Sequence, residues 1–145
     1  MTEIGHLGEQ FVAQWLKSQG WVILQERWRS RWGEIDLIAR SSRIEMLAFV
    51  EVKTRSRGNW DEGGQLAVNF TKQRKICLTA NLFLAQYPRL ADLPCRFDVA
   101  LVSYQRSRSS SEKDSSLTNL KMGQPFWKDG YQFMLQDYLE SAFEG

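Results

Sequence analysis

Histidine is nearly absent from this 145-residue chain and cysteine is scarce: one His6, with Cys77 and Cys95 far apart and no Cys-x-x-Cys pair. A lone imidazole and two distant thiols do not supply the usual zinc ligand set. The same shortage leaves a serine or cysteine triad without support. There is no Gly-x-x-x-x-Gly-Lys-Ser/Thr loop, so nucleotide hydrolysis is not indicated. No apolar run is long enough to span a membrane. Met1 to His6 lacks the basic and apolar stretches of a secretory signal, which makes the cytoplasm the expected compartment. The cysteines then read as reduced structural thiols, Cys77 in an apolar helical setting and Cys95 in a loop. A net charge of +2 is too small to indicate nucleic-acid binding by itself. Length and a 43% hydrophobic content fit one compact domain with a full core.

What the chain does have is charge inside two strand-like runs, Gly33-Glu34-Ile35-Asp36-Leu37-Ile38-Ala39 and Phe49-Val50-Glu51-Val52-Lys53. Strand side chains alternate, so Glu51 and Lys53 share one face with Val50 and Val52 on the other. The same rule groups Glu34 with Asp36, opposite Ile35, Leu37 and Ala39. Arg40 to Met46 carries turn-favouring serines and is short enough for a hairpin connection. Pairing Arg40 near Glu45 sets Asp36 opposite Phe49 and puts Glu51 one diagonal step away, roughly 7 to 8 Å between backbones. Two carboxylates and a lysine on a half-buried sheet face are costly unless they pair or hold a cation. Hard oxygen ligands of this kind suit Mg²⁺ or Mn²⁺. Spacing alone fits a cross-strand salt bridge as well as a metal site.

Ile4, Leu7, Gly8, Phe11, Val12, Trp15 and Leu16 recur at helical spacing and define an amphipathic first helix, with Glu9 at the border of its buried face. Two basic clusters flank the acids. Arg27-Trp28-Arg29-Ser30-Arg31-Trp32 precedes the Asp36 strand, and Lys53-Thr54-Arg55-Ser56-Arg57 follows the Glu51 strand. Arg27, Arg29, Arg31, Arg55 and Arg57 can hold phosphates, and an exposed tryptophan can stack on an unpaired base. Alternatively the arginines solvate an edge strand, and the expectation for Trp28 and Trp32 is core packing. Gln65 to Ala85 reads as a second helix, with Leu66, Phe70, Cys77 and Leu84 on its core side and Lys72, Arg74 and Lys75 on a basic face. Arg96 to Val102 alternates as a further strand in which Asp98 is expected to be structural. The serine-rich stretch within 105–120 reads as a flexible insertion after a 1–104 core. Tyr131, Met134, Leu135, Tyr138, Leu139, Ala142 and Phe143 then follow helical spacing, which predicts a C-terminal amphipathic helix within 121–145. That helix would pack on the core or on a second copy in a homodimer.

Asp36 followed by Glu51-Val52-Lys53 on the next strand resembles the PD-(D/E)xK nuclease signature, with Ile35 where the signature's name has proline. More closely, Gly8-Glu9, Gly20-Trp21, Arg29-x-Arg31-x-Gly33-Glu34-Ile35-Asp36-Leu37-Ile38-Ala39, Phe49 to Arg55 and Arg96-Phe97-Asp98-Val99 resemble the bacterial YraN-like family of presumed endonucleases, itself similar to archaeal Holliday-junction resolvases. The resemblance covers about Gly5 to Val102. It implies a restriction-endonuclease-like α/β fold, a mixed central sheet flanked by helices, a class that the alternation of helical and strand patterns also suits. It further implies that Asp36 and Glu51 hold Mg²⁺ or Mn²⁺, that Lys53 is the catalytic lysine, and that Glu9 joins the site from the first helix. In similar nucleases the helix matching Lys72 to Lys75 is thought to lean over a nucleic-acid groove. The function implied is metal-dependent endonucleolytic cleavage of DNA, branched or structured by analogy with the resolvases. The alternative is a non-catalytic nucleic-acid-binding or assembly module on the same fold.

Overall fold

The computed structural model describes residues 3–58, 68–108, 113–116 and 120–145. Helix α1 (Glu3–Ser18) leads into strands β1 (Trp21–Ser30), β2 (Gly33–Ser41) and β3 (Leu47–Ser56). Helix α2 (Phe70–Gln86) follows, then β4 (Cys95–Arg106), β5 (Phe126–Lys128) and β6 (Tyr131–Phe143). The six strands form one sheet in the order β1-β2-β3-β4-β6-β5. The β3 and β4 pair is parallel and the other neighbours are antiparallel. A mixed sheet with a helix on each face is the expected α/β class. β3 is buried over its first six residues, as a central strand covered on both faces requires.

The apolar stripe of α1 packs Leu7, Phe11, Val12 and Leu16 onto Leu37, Val50, Val52, Ala100 and Val102 on one face of the sheet. On the other face Ile76, Ala80 and Phe83 of α2 cover Ile38, Phe49, Val99 and Leu101. α2 begins later than expected, at Phe70, where the Asn69 side chain caps the Lys72 N–H. Residues 65–67, Leu66 among them, lie outside the described residues. Phe70 is not a core residue: it is 88% exposed. The buried stripe is Ile76, Thr79, Ala80 and Phe83, with Leu84 partly buried against it and Cys77 half-buried. Both cysteines are free, and Cys95 opens β4 rather than lying in a loop.

The predicted C-terminal helix is instead β6, for a reason visible in its register against β4. Phe133 and Leu135 face the α1 cluster in strict alternation. Val102 then pairs with Leu135 while Leu101 pairs with Asp137, and Val99 pairs with Leu139 while Phe97 pairs with Phe143. Each irregularity inserts residues into β6. Apolar positions separated by two become separated by three or four, and that spacing imitates a helix. Ser141, at φ 49°, marks the second irregularity.

The expected flexible insertion is partly tied to the sheet. Gln105 and Arg106 finish β4. Ser115 bonds both ways to Trp127, and Asp114 takes the Asp129 N–H and pairs with Lys128. Residues 109–112 and 117–119 lie outside the described residues.

Gly8 sets how closely α1 approaches β3. A Cβ at that position would stand 2.2 Å from Thr54 Oγ1 and 3.3 Å from Thr54 Cβ. Helix propensity alone would favour alanine by about 1 kcal/mol. We expect the contact to win: Gly8→Ala should lose about 1 to 3 kcal/mol in urea unfolding. Adding Thr54→Ala should recover most of the loss, and no recovery would mean that the close approach is not the cause.

Candidate active site

β2 and β3 pair from Arg40↔Leu47 to Leu37↔Val50, two residues out of the register expected from the sequence, so Ile38 rather than Asp36 faces Phe49. The connection is longer than expected because Ser41 Oγ accepts the N–H groups of Arg43 and Ile44 and widens the turn. A shift of two leaves every β3 side chain on its expected face. In β2 the alternation does break, at Asp36. Ile35 packs in the α2 cluster although Leu37 packs in the α1 cluster. Across the sheet the break is matched by Arg27, at φ 52° in the left-handed region, between the pairs Glu26↔Leu37 and Trp28↔Ile35. A non-glycine residue there costs on the order of 1 kcal/mol, and such strain concentrates at functional sites.

Beyond Leu37 and Val50, Asp36 Oδ2 accepts the Val52 N–H at 2.8 Å, so a carboxylate takes the place of a strand partner. Glu51 Oε1 lies 3.3 Å from Lys53 Nζ and 2.6 Å from Lys72 Nζ of α2. Glu9 of α1 is buried and accepts Arg27 Nε at 3.1 Å. Four acids, Glu9, Glu34, Asp36 and Glu51, thus lie among four cations: Arg27 pairs with Glu9, Arg29 with Glu34 at 4.0 Å, and Lys53 and Lys72 with Glu51. Glu34 Oε1 is buried with no hydrogen-bond partner. Burial, then the charges of Glu34 and Glu51, pushes the Glu9 carboxyl up to about 7. Burial, then the Glu51 charge, pushes Asp36 up to about 8 against the Val52 hydrogen bond. Burial, then the hydrogen bond with Lys72, lowers the Lys53 ammonium. Lys72 is also drawn down by burial, but its bonds to Glu51 and Lys53 more than reverse this and raise it.

Asp36, Glu51, Lys53 and Glu9 therefore come together at one place. Arg27 and Lys72, expected as phosphate contacts, face the acids instead. Glu34, grouped with Asp36 by strand alternation, has no part in the site expected from the sequence, and the inward roles of Arg27 and Lys72 escaped the sequence: Arg27 depends on a backbone switch that no pattern announces. Arg29, Arg31, Arg55, Arg57, Arg74 and Lys75 remain on the surface. Arg55 donates to the Thr54 carbonyl and Arg57 to Gln105. Trp28 packs edge-on against Phe83 as expected, but Trp32 is not core: it sits 39% exposed in the β1–β2 turn. No helix among the described residues is long and apolar enough to cross a membrane.

Residues 8–102, which carry all of these acids and both lysines, match the family described as uncharacterised protein family UPF0102. The chain belongs to UPF0102. It is 53% identical to a UPF0102 protein of Synechocystis sp. over all of both chains. It is 51% identical to one of Trichormus variabilis, covering 97% of this chain and 94% of the relative. A UPF0102 protein of Acaryochloris marina is 49% identical over 97% and 90%. The UPF0102 match ends at residue 102, so the β5–β6 closure lies beyond the matched segment while the acid cluster lies within it.

Among the described residues no three carboxylate, imidazole or thiolate groups form a ready ligand cluster. Mg²⁺ typically takes one or two protein carboxylates and fills its shell with water and substrate oxygens, which Asp36 and Glu51 satisfy. The raised acids and the orphaned Glu34 oxygen mark a place where added positive charge is favourable.

Proposed function

We propose that this UPF0102 protein is a Mg²⁺- or Mn²⁺-dependent endonuclease acting on DNA, with branched or otherwise structured DNA as its substrate. The observation that carries the reading is the placement of Asp36, Glu51 and Lys53 where β2 separates from β3, with Asp36 held by the Val52 N–H. Asp36 and Glu51 would hold the cation, which supplies phosphate polarisation and a more acidic bound water. Lys53 Nζ, with its affinity for protons lowered, takes the proton of the attacking water. Lys72 stays charged beside Glu51 and holds that carboxylate in place. Arg27 fixes Glu9, whose carboxyl burial pushes up toward neutral pH.

The test is cleavage of end-labelled four-way, flap, single-stranded and linear duplex DNA with Mg²⁺, Mn²⁺ or EDTA. Cutting that requires the cation supports the enzyme. Metal-independent DNA binding without cutting would favour the recruiting module. Calorimetry should show Mn²⁺ binding that Asp36→Asn and Glu51→Gln abolish, and unchanged binding in both would remove the site.

A pH dependence follows in EDTA. The folded Asp36 pKa lies above its unfolded value of about 3.9, so its contribution to stability is full below that value and is lost as pH rises through about 8. Asp36→Asn should therefore match the native protein only below about pH 4, gain on it as pH rises, and exceed it at pH 8 by on the order of 2 kcal/mol or more. In Tm that is roughly 4 to 8 °C. A native protein that is the more stable at pH 8 would refute the raising of Asp36 by burial and the Glu51 charge.

A further inference from the structure

β1 is an edge strand of the sheet, and where it crosses α2 it bounds an open cleft of about 720 Å³, within the roughly 300 to 1,000 Å³ range of ligand clefts. Its lining combines an apolar floor, Trp28 with Leu82, and a basic rim, Arg29 and Arg31. Leu82 is 39% exposed, and the Arg29 side chain is 75% exposed with its nearest acid, Glu34, at 4.0 Å. Arg31 places its guanidinium 5.0 Å from the centre of the Trp32 ring, and that ring stands in solvent. An edge strand needs charge to deter pairing with other chains, but that does not explain an exposed indole or an exposed leucine beside the arginines.

Position matters as much as composition. Arg27 occupies the register position between the pairs that flank Asp36, and Arg29 and Arg31 follow it by two and four residues. Along β1, Arg29 follows Arg27 by two residues, roughly 7 Å, and its Nε lies 4.0 Å from Glu34, whereas along α2 the floor residue Leu82 follows Lys72 by ten residues, roughly 15 Å. Cationic side chains to track phosphates and a partly exposed aromatic ring that can stack a base are the two parts of a single-strand binding platform, whereas a paired duplex offers no free base face.

We propose that this cleft, together with the Trp32 ring that packs on its lining residue Arg31, binds unpaired nucleotides next to the acid cluster, so that the substrate is DNA with a single-stranded segment beside the scissile bond. This rests on the nuclease reading for its substrate class, and its test is separable. The full chain in EDTA is titrated into fluorescein-labelled oligothymidine and into a blunt duplex, and anisotropy is followed. Oligothymidine should bind more tightly. Trp32→Ala should weaken it about tenfold, as loss of one stacked base would, while Trp32→Phe retains most of the affinity. Arg29→Ala should reduce the slope of log affinity against log salt by about 0.7. Equal affinity in Trp32→Ala, or no preference over duplex, overturns the proposal even if metal-dependent cutting is found. Loss of oligothymidine affinity in Trp32→Ala upholds the binding platform even if no substrate is cut. With cutting present, Trp32→Ala should lower flap cleavage and spare linear duplex, and an equal fall on both overturns it.

Discussion

Lys53→Ala, purified identically to the native protein, should lose metal-dependent cleavage by about 10³-fold in kcat/KM, close to 4 kcal/mol of transition-state stabilisation. Lys53 Nζ touches Glu51 and Lys72, and its proton affinity is lowered by burial and by the second ammonium. It is the one amine of the pair suited to accept a proton. Lys53→Arg separates that role from charge alone, because a guanidinium stays protonated. If Lys53 is the base, arginine fails as alanine does. If it only neutralises the phosphate, arginine restores part of the rate. The rate in the native protein should also rise with pH as Lys53 loses its proton. Cleavage that persists in Lys53→Ala would exclude Lys53 as the base and point to a contaminating nuclease.

Asp98→Ala should produce the largest loss of stability, about 3 to 5 kcal/mol. Asp98 is fully buried. Its Oδ2 accepts Arg96 Nε at 3.0 Å and the Tyr138 hydroxyl at 2.7 Å, while its Oδ1 accepts the Ser141 N–H at 3.0 Å. Truncation leaves the Tyr138 hydroxyl and the Ser141 N–H without these acceptors and leaves the Arg96 guanidinium only Glu140 at 3.5 Å and the Trp21 ring, so much of their desolvation goes uncompensated. Three of the groups lie on β4 and β6, so the carboxylate joins the closing strand to the sheet at the point where its register is irregular. Asp98→Asn keeps an acceptor and should lose less. Urea unfolding gives both values, and a loss below about 1 kcal/mol for alanine would show that the network contributes little.

Much of the frame was legible because its elements follow simple periods. α1 shows its stripe, β3 reads as an apolar strand interrupted by Glu51 and Lys53, and β4 alternates around Asp98. Where the backbone departs from regularity the pattern misleads. The bulges in β6 produce a helical rhythm, the Ser41 turn moves the hairpin register by two, and the left-handed Arg27 changes which side chains face α2. In α2 the apolar residues do not divide cleanly between faces, and Phe70 could be placed only once Asn69 was seen to cap the helix. For the site, side-chain identity and strand parity were enough to group Asp36, Glu51 and Lys53. Lys72 needed the tertiary crossing of α2 over β3, which no local spacing encodes.

The hydrogen bond from Val52 to Asp36 makes one central-strand amide answer to a titrating side chain rather than to another backbone. Its neighbours exchange with solvent only when the sheet opens, but this proton is sheltered by a group that can change its charge or its partner. Val52 is consequently a built-in spectroscopic reporter: its amide resonance registers what Asp36 is bound to, in a protein that need not turn over to be read.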